Sequence, residues 1–284
     1  MASNRFVAVF PVNRVLWVLL AATVSCSAPR TEQTIAPPED PDPTETTLSS
    51  STTTPRSTST TGDAVSPLGV LVFDKTTGFR HDSIEAGIQA LREVAESEDR
   101  EVTATDDASV FTAEGLQPYD VVVFLNTTGD VLDDGQQGAM EEFIQRGNGF
   151  VGVHSAADTE YDWEWYGGLV GAYFDSHPEP QSAAVEVMSS HPVVEGLPGQ
   201  FERFDEWYNF RTQPGSEVTV LATIDESSYE GGGMGQSHPI VWAGEYDGGR
   251  AVYIGFGHTA ESFGEQVVRT LLGNAIEWAA GNGG

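Results

Sequence analysis

Short apolar runs recur through the first half of residues 67–284 at the spacing expected of strands in an α/β sheet. GVLVFD (69–74), YDVVVFLN (119–126) and GFVGVH (149–154) are nearly continuous in hydrophobic residues, which is typical of parallel strands covered on both faces. EVTATD (101–106) contains fewer apolar residues and predicts one more strand. This half of the region therefore predicts four strands.

Two amphipathic segments separate these strands. Residues 82–97 carry apolar side chains at helical spacing, and Asp82 or Ser83 is the expected N-cap. Residues 133–147 predict a second helix that ends at Gly147. The order β-α-β-β-α-β predicts an α/β fold with a doubly wound, mainly parallel sheet.

The second half is less regular and predicts an antiparallel extension of that sheet. AAVEVM (183–188) and VTVLATID (218–225) each have the pattern of a strand. Two further apolar runs within 239–258 flank the turn Asp247–Gly249 and predict an antiparallel hairpin. Residues 262–281 predict a closing amphipathic helix. We find no internal repeat, so residues 67–284 are interpreted as one domain.

Residues 1–26 resemble a bacterial lipoprotein signal peptide. Basic residues precede an apolar run over Val15–Ser25, which is too short to cross about 30 Å of hydrocarbon as a helix. Cys26, the single cysteine of the chain, follows this run at the position where such a signal is cut and lipidated. We therefore expect an exported protein, lipid-anchored on the outer face of the cell membrane. An ordinary cleaved signal and a secreted protein is the alternative.

Residues 27–66 predict a disordered linker, because 24 of these 40 positions are Ser, Thr or Pro and apolar residues are too few to offset the entropy of ordering the chain. The linker would hold the domain away from the membrane. Beyond Cys26 the chain has no cysteine. A disulfide, a cysteine-ligated metal and a cysteine nucleophile are thereby excluded from the domain.

The domain is strongly acidic. The whole chain has a formal net charge of −30, and residues 67–284 contain 37 acidic and 9 basic residues. Nucleic-acid binding requires the opposite sign of charge and is excluded. Broad contact with anionic lipid is disfavoured for the same reason, so we expect membrane association through the lipid anchor alone.

Three of the six histidines are predicted to lie at the carboxyl ends of strands. His81 lies in the loop after the first strand, His154 ends the fourth, and His258 ends the last hairpin strand. Ligands of open α/β sheets bind at this edge, so we expect the three side chains to share a pocket. His177 follows a short aromatic helix and is a fourth candidate for the site.

Aromatic and acidic residues occur together in two segments of the second half. Planar aromatic rings beside carboxylates suit sugars, whose C–H faces stack while their hydroxyls form hydrogen bonds. Asp205 and Glu206 are candidate acid/base partners of the histidines. The candidates for substrate binding are Arg80, Trp163, Trp207 and Tyr208.

Histidine and carboxylate in one pocket support two kinds of chemistry. They transfer protons as general acid and base, or they bind a divalent metal such as Zn²⁺. The chain contains no HxH or HxxxH spacing, so the sequence alone leaves the cofactor open. His154 also stands at a strand-to-helix corner of the kind that exposes a nucleophile, with Ser155 beside it.

Six segments, taken together and in order, resemble the ThuA-like (trehalose utilisation) family, which has a class I glutamine amidotransferase-like fold. The segments are FRHDSI (79–84), GFVGVHSAAD (149–158), WEWYGGLVGAYFDSHP (163–178), DEWYNF (205–210), HPIVW (238–242) and RAVYIGFGH (250–258). The resemblance implies a flavodoxin-like sheet and a role in carbohydrate use. In the amidotransferase superfamily the corner after the fourth strand holds a catalytic cysteine. His154 or Ser155 occupies that corner here, so a thiol glutaminase is excluded.

These observations predict an exported enzyme that acts on trehalose or a keto-sugar by hydrolysis or proton transfer, with His81, His154, His177 and His258 around the site. A sugar-binding lipoprotein without catalysis is the first alternative, and a surface adhesion module is the second. The expected partner is a small-molecule carbohydrate. The sequence does not indicate an oligomeric state.

Overall fold

A computed structural model describes residues 68–96 and 100–281 of the chain. Its strands are β1 (Leu68–Phe73), β2 (Arg100–Thr105), β3 (Val121–Leu125), β4 (Gly149–Val153), β5 (Phe174–Ser176), β6 (Gln181–Val187), β7 (Gln200–Asp205), β8 (Asn209–Phe210), β9 (Val218–Ile224), β10 (His238–Tyr246) and β11 (Gly249–Ile254). Its α-helices are α1 (Ile84–Glu96), α2 (Asp134–Gln145), α3 (Glu164–Val170) and α4 (Gln266–Ala279). The predicted signal peptide, the lipidation site at Cys26 and the linker lie outside the described residues. Within the described part, no helix is both long and apolar enough to span a bilayer.

Nine strands form one mixed sheet in the order β2-β1-β3-β4-β11-β10-β9-β6-β7. The first five strands of this order are parallel to one another. The prediction of an α/β, flavodoxin-like fold with a doubly wound, mainly parallel sheet is confirmed.

Helices cover both faces of the parallel half because the buried strands alternate their side chains between two cores. Val70 and Val123 point to the face covered by α1 and α4. Leu71 and Phe124 point to the opposite face, which α2 and α3 cover. Helix α2 begins with a capping box in which Asp133 accepts backbone N–H groups and Gln136 binds back to Asp133. This layering leaves the carboxyl ends of the strands as the accessible edge.

The antiparallel extension is also confirmed. Strands β10 and β11 form the predicted hairpin, and its turn places Asp247 and Gly248 at φ angles of 47° and 98°, as the favoured two-residue hairpin turns require. The closing helix α4 begins later than predicted, because residues 261–264 form a separate 3-10 turn.

Three strands were not predicted from the sequence. Strands β5 and β8 form a small separate sheet, and β7 pairs with β6 at the edge of the large one. β5 and β8 are two or three residues long, and β7 carries charged residues at three of six positions, so none shows a continuous apolar run. These strands matter because they carry the acidic half of the site.

Candidate functional site

Three histidines meet beyond the carboxyl ends of neighbouring parallel strands. His81 follows the loop after β1, His154 follows β4 directly, and His258 lies shortly after β11. The ring centroid of His81 lies 4.9 Å from that of His154 and 5.2 Å from that of His258. The centroids of His154 and His258 are 5.5 Å apart. The structure therefore brings together the three histidines selected by their strand positions.

The imidazole of His154 is fixed in orientation and fully buried. Its Nδ1 lies 3.3 Å from the Gly255 carbonyl oxygen, which can only accept, so Nδ1 carries the proton. Nε2 therefore bears the lone pair of the neutral ring. Tyr253 donates to the His154 carbonyl at 2.8 Å, and the Tyr208 ring packs 4.3 Å from the imidazole between centroids. These contacts aim Nε2 toward the other histidines.

The imidazole of His81 is held neutral by its surroundings. Its Nδ1 lies 3.3 Å from the Ser155 hydroxyl. Burial, reinforced by the nearby His154 and His258, lowers the pKa of His81 to about 3. Ser155 thus contacts a histidine, but the serine is itself completely buried and does not line the cavity described below.

Glu206 joins the histidines from the antiparallel half of the sheet. Its Oε2 lies 3.4 Å from Nε2 of His154 and 3.2 Å from Nδ1 of His258. Its Oε1 lies 3.0 Å from Nδ1 of His177. Burial opposes ionisation of Glu206, but His154 and His258 outweigh it and the pKa of Glu206 is lowered. The same carboxylate raises the pKa of His258. Glu206 is therefore ionised within a ring of imidazoles.

Asp205 does not reach the pocket and instead holds the segment that carries His258. It accepts the backbone N–H groups of Gly257 and His258, each at 3.0 Å, and the Ser262 hydroxyl at 3.0 Å. It also forms an ion pair of 2.9 Å with the buried Arg203. Asp205 is thus placed as a positioning residue rather than the acid/base partner that the sequence suggested.

A cavity of about 230 Å³ opens onto this cluster. The residues that line it are Phe79, His81, Asp158, Phe174, His177, Glu206, Tyr208 and His258. Phe79, Asp158 and Phe174 were not selected from the sequence. Phe79 is 66% exposed and stands two residues before His81, and Asp158 lies in the same corner as His154, so chain proximity was the available signal. Burial raises the pKa of Asp158 although a hydrogen bond from Tyr161 opposes the shift.

Trp163, Trp207 and Arg80 do not line the cavity. The indole of Trp163 stacks on Trp165 and donates to Glu141. The indole of Trp207 is completely buried and donates to the Gln181 carbonyl. Arg80 pairs with Asp74 at 3.1 Å.

The two remaining histidines lie outside the cavity. His238 Nε2 lies 2.8 Å from the Tyr208 carbonyl oxygen and His238 Nδ1 lies 2.9 Å from Glu226. His238 therefore supports Tyr208 from behind. His191 packs against Trp278 with ring centroids 4.8 Å apart. It serves below as a matched control for substitutions of the clustered histidines.

Four side chains at the base of the cavity have the composition of a metal-binding or proton-transfer site. This group, named the histidine–glutamate cluster, consists of His81, His154, Glu206 and His258. One ligand atom from each lies within 4.8 Å of all the others. Imidazole and carboxylate can exchange protons with a substrate, and they are also ligands that divalent transition metals accept.

Residues 69–279 match the ThuA family, described as trehalose utilisation. The chain belongs to this family. The match spans the whole sheet and every residue of the histidine–glutamate cluster. Membership supports a role connected with carbohydrates. No curated protein matches the sequence.

Solved structures of ThuA-like proteins share the fold. A ThuA-like protein from Bacteroides uniformis ATCC 8492 is 25% identical with a TM-score of 0.65, over 76% of this chain and 93% of that one. A ThuA-like protein from Parabacteroides merdae ATCC 43184 is 21% identical with a TM-score of 0.64, over 75% and 90% of the two chains. A cytoplasmic protein from Salmonella typhimurium is 15% identical with a TM-score of 0.56, over 75% and 99%.

Proposed function

We propose that this ThuA-family protein is an exported, lipid-anchored enzyme that acts on trehalose or a keto-sugar by hydrolysis or proton transfer. The observation that carries the proposal is the cavity in which an ionised glutamate meets four imidazoles beside aromatic side chains. Family membership supplies the carbohydrate. Export and lipidation rest on the sequence of residues 1–26.

The size of the cavity favours one sugar ring. Pockets for drug-sized ligands enclose about 300–1,000 Å³, and this cavity encloses about 230 Å³. Phe79, Phe174 and Tyr208 line it and offer faces for the C–H side of a ring. A disaccharide would place its second ring outside, past the exposed Phe79.

Two carboxylates in the cavity have different surroundings and suit opposite roles. Glu206 is held ionised by the histidines, which lower its pKa, and is the proposed proton acceptor. Asp158 keeps its proton to higher pH than an ordinary aspartate, because burial raises its pKa. Environments that separate two pKa values are how active sites assign acid and base. Asp158 is therefore the proposed proton donor.

Turnover of trehalose and its keto derivatives by the purified full-length chain tests the proposal. General acid–base groups contribute about 10²–10⁴-fold, so Glu206→Gln and Asp158→Asn should each lower kcat at least about 100-fold. His191→Gln, outside the cavity, should leave kcat unchanged. Equal rates in all four proteins would refute the site. Sugar-dependent thermal stabilisation without any product would instead support the sugar-binding lipoprotein.

A further inference from the structure

We propose that the histidine–glutamate cluster binds one divalent transition-metal ion, such as Zn²⁺. The inference concerns the same cavity and in that respect rests on the proposed function. The four candidate ligand atoms lie within 4.8 Å of one another. Ligand atoms on one zinc ion, at about 2.0–2.2 Å from it, are at most about 4.4 Å apart. A contraction of about half an ångström would therefore complete the site.

The surrounding groups leave a nitrogen of two rings available to an ion. The Gly255 carbonyl takes the Nδ1 proton of His154, so its Nε2 presents a lone pair to the cluster. The Ser155 hydroxyl contacts Nδ1 of His81, which leaves Nε2 of that ring as its ligand atom. A protein group that binds the second nitrogen of a histidine and fixes its tautomer is the usual outer contact of a metal ligand.

Two buried nitrogens in the cluster lack hydrogen bonds. Among the described residues, His154 Nε2 and His258 Nδ1 have no hydrogen-bond partner, although both lie within 3.4 Å of Glu206 Oε2. These contacts have the distance of hydrogen bonds without their geometry. Unsatisfied buried polar atoms are costly and uncommon. An ion between the two nitrogens and the oxygen would satisfy all three atoms.

The carboxylate is oriented for the same purpose. His177 Nδ1 lies 3.0 Å from Glu206 Oε1 and 3.0 Å from the Pro178 carbonyl oxygen. Both neighbours accept, so His177 donates and fixes Oε1. Oε2 is left to face the histidines. Three neutral imidazoles and one carboxylate form a set that suits Zn²⁺ and related ions, with no thiolate that would select softer ones.

The bound ion would also be reachable by substrate. His81, Glu206 and His258 line the cavity as well as the proposed metal site. A carbonyl or hydroxyl oxygen of a sugar in the cavity could therefore approach the ion, which would polarise it as a Lewis acid. Adjacent carbonyl and hydroxyl oxygens of a keto-sugar are the substrate group that such an ion favours.

Calorimetric titration of the full-length chain, first depleted of metal with EDTA, tests the inference. Zinc sulfate and manganese chloride are titrated in separate experiments. The wild type should bind one ion per chain. Outer-shell changes weaken metal binding about 10–100-fold, so loss of a ligand in Glu206→Gln or His258→Ala should weaken it more than about 100-fold. His191→Ala removes a histidine outside the cluster and should bind as wild type.

The outcomes separate this inference from the proposed function. Cooperative unfolding of each metal-free variant confirms that it is folded. Absence of saturable binding by the wild type, or wild-type affinity in folded Glu206→Gln and His258→Ala, would overturn the metal site. Sugar turnover that persists in the metal-free protein would leave the proposed function standing alone. One bound ion without turnover would support the metal site and refute the enzyme.

Discussion

At the scale of single residues, His154 holds an unfavourable backbone conformation at the centre of the site. Its φ angle is 47°, in the left-handed region that costs most L-residues about 1–2 kcal/mol. The ring stays in place because Gly255, Tyr253 and Tyr208 contact it or its carbonyl. Strain that its surroundings maintain is typical of functional positions.

Replacing His154 by alanine and by glycine measures this strain. Both changes remove the ring and leave similar space, but glycine adopts a positive φ angle without cost. We expect His154→Gly to be more stable than His154→Ala by about 1 kcal/mol in chemical unfolding of the metal-free protein. Ser155, which is not among the positive-φ residues, is the matched control. There glycine should be the less stable variant. The same order at both positions would contradict the strain.

Individual site residues were predictable to different extents. His81, His154 and His258 followed from residue type and strand position together. Trp163 and Trp207 did not reach the cavity, because each found an indole N–H partner within the packed interior. A buried aromatic that packs and one that binds a sugar have the same local sequence pattern.

At the scale of elements, Asp205 connects the end of β7 to the segment after β11. Its carboxylate accepts two backbone N–H groups and the Ser262 hydroxyl, and it pairs with Arg203. The side chains of Arg203 and Asp205 are both at most 1% exposed. The two strands lie four positions apart in the sheet order, so this contact sets where His258 meets Glu206.

Asp205→Asn should therefore destabilise the domain. The amide keeps the shape but leaves the buried Arg203 with only Glu265 as an ionic partner, at 3.4 Å. Breaking a buried ion pair costs about 3–5 kcal/mol, and we expect a loss near the lower end of that range by urea unfolding. Exposed Asp82→Asn is the control, with a change within about 0.5 kcal/mol. Wild-type stability of Asp205→Asn would show that the carboxylate is not needed to hold this segment.

The parallel half of the fold was predictable and the antiparallel half only partly so. Strands β1, β3 and β4 are apolar throughout because both faces are covered. Strand β7 carries charged residues at the edge of the sheet, and β5 and β8 are too short to show a period. Nothing local in these segments indicates that Glu206 and His177 fold back over the carboxyl ends of the parallel strands. Long-range packing decides that contact.

At the scale of the whole molecule, the charge of the domain bears on both its site and its setting. With 37 acidic and 9 basic residues in positions 67–284, the domain attracts cations toward its surface. The same field repels anionic lipid headgroups. An anchor on a flexible linker of 40 residues would resolve this conflict by keeping the domain near the membrane without contact.

Metabolic labelling with an alkyne fatty acid in a bacterial host tests that arrangement. The proposed anchor is covalent lipid on Cys26, the single thiol of the chain, so the wild type should carry the label and Cys26→Ser should lose it completely. Ser27→Ala, one residue away, keeps the thiol and should keep the label. A single acyl chain binds membranes only marginally, whereas two or more anchor stably. Mass spectrometry of the labelled N-terminus should therefore find at least two chains. Label on Cys26→Ser, or an unlabelled wild type cut elsewhere, would favour the secreted form. Zinc affinity should be the same in all three proteins, because the change lies far along the chain from every residue of the histidine–glutamate cluster.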